Sequence, residues 1–104
     1  IVCEETFAPI VSIVSYETLD EAIAHVNQSS FGLNAGIYTN ILTDAMRAAD
    51  ELEAGAVIIN DIPTFRVDNM PYGGVKMSGY GKEGIKYALE EMTNLKFITI
   101  KTIF

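Results

Sequence analysis

Apolar positions along this chain change period several times, and each change marks an element. Ile10-Val11-Ser12-Ile13-Val14-Ser15-Tyr16 is rich in β-branched residues and follows Pro9, which predicts a strand. Thr18-Leu19-Asp20-Glu21 then forms a capping-box pattern: a threonine hydroxyl accepts from a free backbone N–H while the glutamate reaches back. Leu19, Ile23 and Val26 fall at i, i+4 and i+7, an apolar helical stripe lasting to about Asn27. A second strand is predicted from Leu33 to Tyr38, with small residues at Ala35 and Gly36. Leu42, Ala45, Met46, Ala49 and Leu52 predict a second helix from about Ile41 to Glu53, ended by Gly55.

Ala56-Val57-Ile58-Ile59 is wholly apolar, as expected of a strand buried on both faces. From Asn60 to Gly81 no period is sustained. Helical spacing returns over Lys82 to Met92 through Ile85, Leu89 and Met92, and a β-prone strand is predicted from Leu95 to Lys101. The resulting order, β-α-β-α-β-long loop-α-β, predicts an α/β fold with helices flanking a mostly parallel sheet. The loop of about 20 residues is longer than ordinary connections. It follows a strand end, where open α/β sheets place their ligands, so any site is sought there first.

At 104 residues and 49% hydrophobic, the chain is sized for one domain and is too apolar for disorder. The net charge of −7 argues against binding a nucleic acid backbone. Residues 1–61 carry −9 and residues 62–104 carry +2. Solvated helix faces explain the acidic half; the basic half could instead lie beside an anionic ligand or an acidic neighbour. No stretch reaches the roughly 20 apolar residues of a membrane span. One cysteine cannot form an internal disulfide, so no oxidising compartment is needed and a cytoplasmic setting is expected. The chain begins at Ile1 without a basic-then-apolar leader, which suggests a soluble piece that is not a whole protein.

Several residues are candidates for chemistry. Gly79-Tyr80-Gly81-Lys82-Glu83-Gly84 spells G-x-G-x-x-G, but it does not directly follow a strand and no acidic residue lies about 20 positions on. A tight turn into the third helix explains these glycines better. Cys3 has Glu4 and Glu5 beside it, and negative charge disfavours the thiolate a nucleophile needs. His25 lies off the apolar face of its helix, and no second histidine is present to build a metal cluster or a triad with it. No metal site is expected. Glu4 and Glu5 point opposite ways if extended, so one could face a site and accept from two sugar hydroxyls, although the residues by themselves favour two solvated acids. In Pro71-Tyr72-Gly73-Gly74-Val75-Lys76-Met77-Ser78-Gly79, proline and glycines specify the backbone around an aromatic ring and a cation. A ligand-facing loop and a structural turn packed on the core are both open for it.

Glu4-Glu5-Thr6-Phe7-Ala8-Pro9 resembles the aldehyde dehydrogenase signature of paired acids, a variable residue, Phe, Gly and Pro. The loop from Pro71 to Gly79 resembles that superfamily's aromatic-Gly-Gly-x-Lys-x-Ser-Gly segment, and the segments 16–23, 31–39 and 55–60 stand in the family's order between them. The resemblance covers essentially the whole chain. It implies the C-terminal portion of an NAD- or NADP-dependent enzyme that oxidises a small-molecule aldehyde to an acid through a cysteine thiohemiacetal and thioester. The nucleophile, the general base and most of the cofactor site would lie upstream, so no catalytic residue is expected here, and this chain alone would be inactive.

Carried over by motif, Glu5 would hold the nicotinamide-ribose hydroxyls and Phe7 would pack near the nicotinamide ring. Tyr72 would line the aldehyde entrance, and the stretch from Asn60 to Asp68 would help shape the substrate tunnel. Ala8 stands where relatives have Gly. Asp61-Ile62-Pro63-Thr64-Phe65-Arg66-Val67-Asp68 resembles members acting on small hydroxy- or anion-bearing aldehydes, with Arg66 placed to pair with the substrate anion. Residues 1–93 would be the end of the catalytic domain. Residues 94–104 would be an oligomerisation strand, with Leu95 to Lys101 extending a neighbouring subunit's sheet in a homo-oligomer. A free-standing, ferredoxin-like α/β module that binds a ligand or a protein fits the same element order.

Overall fold

The computed structural model describes residues 6–102. Seven elements follow the order α1 (Leu19–Asn27), β1 (Phe31–Gly32), β2 (Asn34–Ile37), α2 (Leu42–Glu51), β3 (Ala56–Ile59), β4 (Val75–Lys76) and α3 (Ile85–Met92). The fold is α/β. Its longer ladder is parallel, pairing Asn34–Ile37 of β2 with Ala56–Ile59 of β3. The shorter one is antiparallel, with Phe31 opposite Lys76 and Gly32 opposite Val75. The sequence pattern did not separate β1 and β4 from their surroundings, because two-residue strands carry no readable period.

Local chemistry sets the helix ends. Thr18 caps α1 by accepting from the Glu21 N–H at 3.2 Å. The Glu21 carboxylate reaches back to the Glu17 N–H at 2.9 Å, one residue beyond the cap. At the other end of the fold, the Thr93 hydroxyl donates to the Leu89 carbonyl at 2.6 Å and closes α3.

Helices α1 and α2 pack through Ile23, Ala45 and Ala48, the buried apolar residues among those described. Ala48 is buried, while Ala49 is exposed. Above that contact, Arg47 bonds both Glu51, at 2.7 Å through Nε, and Asp20 of α1. The Glu51 hydrogen bond, then the Asp20 one, holds the arginine proton more firmly than usual. In return the hydrogen bond from Arg47 draws the Glu51 carboxyl below its ordinary value.

Four expectations need correction. Residues 10–16 form no strand; Val11 and Ile13 are exposed, and no neighbouring segment of the described chain pairs with them. β3 is half-buried rather than enclosed, with Ile59 exposed, since only β2 flanks it. The stripe of α3 is uncovered, with Ile85, Leu89 and Met92 all exposed. β-Propensity and amphipathicity express what a segment can bury, and the burial needs a second surface. The Cα radius of gyration shows that this surface is wanting: it is 19.1 Å, against about 13 Å for a compact chain of this length. Residues 95–101 likewise run without a ladder in this chain, their apolar side chains exposed.

Candidate functional site

The long loop leaves β3 at Asn60, whose backbone adopts φ 59°. That left-handed conformation is one asparagine tolerates better than most residues. The Asn60 N–H donates to the Ile37 carbonyl at 2.7 Å, and its Oδ1 accepts from the Thr39 N–H at 2.8 Å. Asn60 therefore ties the ends of β2 and β3 together. The chain then folds back over β2: a side chain on Gly36 would lie 3.1 Å from the Asp61 carbonyl and 3.3 Å from the Pro63 ring. The small residue in β2 makes room for the loop.

Two turns, closed by Phe65 N–H to Ile62 O and Met70 N–H to Val67 O, bring Arg66 back over Tyr72. The Arg66 guanidinium carbon lies 4.2 Å from the Tyr72 ring centroid, a stacked cation–π contact. Its terminal nitrogen is 3.5 Å from a Glu83 carboxylate oxygen. Tyr72 and Glu83 are also backbone partners, with N···O distances of 3.2 and 2.6 Å. Arg66, Tyr72 and Glu83 thus form one cluster at the start of the glycine loop, with the two charged side chains exposed and Tyr72 half-buried. Glu83 gave no signal in the sequence, since its partner is set by a bridge between distant segments.

The rest of the loop is held against the sheet. Gly55 leaves space for the Gly73 carbonyl, which any Cβ at position 55 would strike. Lys82 Nζ donates to that same carbonyl at 2.9 Å. The Ser78 hydroxyl accepts from the Gly32 N–H at 3.0 Å, and the Met77 N–H donates to Ser30 O at 2.9 Å. Lys76 adopts φ 56°, a conformation that costs an ordinary residue about 1–2 kcal/mol. Its ammonium donates to Asn27 O (2.8 Å) and Ser29 O (3.1 Å) and pairs with Glu53 at 2.7 Å. The loop is a built structure, packed against the sheet as its turn-forming reading expects.

The basic half of the chain is largely used internally. Besides Arg66, Lys76 and Lys82, Lys86 lies 4.0 Å from Glu90 on the same helix. The glycines of Gly79–Gly84 have φ of 126°, 78° and 124° and turn the chain into α3. A side chain on Gly81 would lie 3.4 Å from a Glu91 carboxylate oxygen, so negative charge occupies the place a pyrophosphate would need. These residues do not fit the phosphates of a dinucleotide.

Two concavities border the loop. One of about 250 Å³ is lined by Tyr72, Gly73, Lys82 and Glu91. A wider cleft of about 930 Å³ lies between the end of α1 and β1–β2, with His25, Ser29, Asn34 and Glu53 on its walls. His25 is exposed. No group of three metal-ligating side chains occurs among the described residues, and no helix among them is long and apolar enough to cross a membrane.

Of the residues singled out in the sequence, Arg66 and Tyr72 are brought together, and Asn60 is tied to Ile37 and Thr39. Phe7 is 95% exposed on the leading segment. Glu5, Glu4 and Cys3 lie outside the described residues.

The geometry defines an α/β fold in which the loop after β3 turns a guanidinium back over an aromatic ring at the start of a glycine-rich segment held against the sheet. The aldehyde dehydrogenase family model matches residues 1–98, and the chain belongs to that family. It is 55% identical over 97 residues to 3-sulfolactaldehyde dehydrogenase of Priestia aryabhattai, a match covering 93% of this chain and 20% of the relative. Among solved structures, it superposes on a salicylaldehyde dehydrogenase from Pseudomonas putida complexed with salicylaldehyde. The TM-score is 0.84 at 34% identity, over 99% of this chain and 21% of that one. It also superposes on glyceraldehyde-3-phosphate dehydrogenase of Methanocaldococcus jannaschii complexed with NADP. There the TM-score is 0.69 at 51% identity, over 74% of this chain and 17% of the other. The chain spans about a fifth of the length of the relatives it matches.

Proposed function

We propose that this chain forms part of an NAD- or NADP-dependent aldehyde dehydrogenase that oxidises a small aldehyde bearing an anionic group. The observation that carries this reading is the Arg66–Tyr72 stack in a chain of this family. Support comes from the names of two relatives, whose substrates are small aldehydes carrying a sulfonate or a phosphate. Among the described residues the ion pair of Arg66 is with Glu83, at 3.5 Å, and both side chains are well exposed. Such pairs contribute about 0–1 kcal/mol, so an incoming substrate anion displaces Glu83 at little cost. The Tyr72 ring fixes the plane of the guanidinium and walls the aldehyde's path, which orients the carbonyl away from the charged end.

Phe7 and Glu5 would face the nicotinamide and its ribose hydroxyls, and Asn60 would shape the tunnel by fixing where the loop starts. NAD or NADP, when bound, supplies the hydride acceptor. Its phosphates would be held by parts of the protein other than the glycines of this loop. Residues 1–93 would complete the catalytic domain, and residues 95–101 would add a strand to a neighbouring subunit's sheet in a homo-oligomer.

The test is kinetics of the full-length protein with Arg66→Ala, against an anionic aldehyde and an uncharged one of equal size. A charge-assisted hydrogen bond is worth about 1.5–3 kcal/mol, so kcat/KM for the anionic aldehyde should fall about 10- to 150-fold. The uncharged aldehyde should be nearly unaffected. Equal losses for both would overturn the assignment.

A further inference from the structure

A lysine in a glycine loop beside a substrate pocket invites the reading that it holds an anion, from either substrate or cofactor. The geometry points elsewhere. An ammonium group has three N–H donors, and those of Lys76 meet three acceptors within the chain: Asn27 O, Ser29 O and the Glu53 carboxylate. The side chain is only 24% exposed. Asn27 completes the arrangement: its Nδ2 donates to Glu51 O at 2.8 Å, and its Oδ1 accepts from the Glu53 N–H at 2.9 Å. One polar clasp therefore gathers the last turn of α1, the last turn of α2 and the glycine loop.

The clasp acts on the loop at a definite point. Lys76 is the ladder partner of Phe31, and the next two residues bond back to Ser30 and Gly32. Upstream, the Gly73 carbonyl is seated at Gly55 and Lys82, and Tyr72 is bonded through its backbone to Glu83 at the start of the loop. A shift of the Lys76 register would strain both of those seats, and Arg66 lies over Tyr72. We propose that Lys76 is a positioning residue of the aldehyde site, acting through Glu53 and Tyr72, and takes no part in binding anions. The proposal rests on the functional reading above.

The experiment uses the full-length protein with Lys76→Met, Glu53→Gln and the double variant, with Lys76→Arg as the conservative control. Lys76→Met should raise the aldehyde KM about tenfold and leave the NAD(P) KM within twofold. Glu53→Gln should move the aldehyde KM the same way by less, the double variant should match Lys76→Met alone, and Lys76→Arg should restore most of the loss. Hydrogen exchange at the Gly32 and Met77 amides should quicken in Glu53→Gln, which leaves the fold standing if Lys76→Met does not. A raised NAD(P) KM would overturn the proposal by making Lys76 a cofactor ligand. A lowered unfolding midpoint with both KM values unchanged would overturn it as well. If the unaltered protein oxidises no aldehyde, the functional reading fails by itself. The exchange rates then judge the clasp, and unchanged rates refute it.

Discussion

Asn60 carries two separable burdens, and a short substitution series can weigh them. Its backbone sits at φ 59°, and its side chain accepts from the Thr39 N–H at 2.8 Å. Asn60→Ala removes the acceptor, worth about 1 kcal/mol net, and leaves a less tolerant residue in a left-handed conformation that costs about 1–2 kcal/mol. Asparagine already bears part of the second cost, so the total expected is about 2 kcal/mol. Asn60→Gly removes the acceptor but relieves the backbone, and should cost about 1 kcal/mol or less. Asn60→Asp keeps an acceptor in place and should cost least. Equilibrium urea unfolding of the full-length protein, followed by circular dichroism, reads the order through the midpoint at constant slope. Parallel kinetics would separate the structural role from the expected pocket role, since a strand-end tie alters stability more than aldehyde KM. Equal losses for Asn60→Ala and Asn60→Gly would show that the backbone conformation contributes nothing, and the reasoning would fail.

Other outcomes follow from the same geometry. Gly55→Ala forces a methyl group onto the Gly73 carbonyl and within 2.9 Å of Leu33 O; overpacking of this kind costs about 1–3 kcal/mol, so a thermal midpoint equal to that of the unaltered protein would contradict the loop's seating. Pairing with Arg47 lowers Glu51 in the folded chain, so its contribution is complete where an unpaired glutamate is ionised and is lost as pH falls through the lowered value. Arg47→Met should therefore flatten the acid limb of the stability curve, and an unchanged limb in pH-dependent urea midpoints would refute that. The 104-residue chain by itself should self-associate through its unpaired apolar segment 95–101, and a monomeric mass by light scattering across micromolar concentrations would count against it.

What could be read from the sequence was what is decided locally. The Thr18 cap depends on a residue three positions away, and the β2–β3 pair on two short apolar runs with a helix between them. The resemblance of the glycine loop to a family segment marked Tyr72, and that of residues 61–68 marked Arg66, but neither indicated that the two stack. Nor could Lys76 be assigned, because its acceptors lie up to 49 residues away and two of them are backbone carbonyls. A cation in a glycine loop looks the same in sequence whether it meets a ligand or the end of a helix.

The misread elements have a common cause. Residues 10–16, the outer edge of β3 and the stripe of α3 all show patterns of burial, and all are uncovered in the described chain. A hydrophobic pattern records that a face is to be buried without recording what buries it. The surface measures the difference: the chain exposes 8987 Å², where a compact protein of this mass exposes about 5,800 Å². The excess, about 3,000 Å², falls within the range that obligate subunit interfaces bury. The further length of such relatives is enough to cover that area, since they are about five times as long as this chain. On this argument the exposed stripes are the inner faces of a larger protein, and the short, well-bonded glycine loop is the part of it that this chain can shape alone.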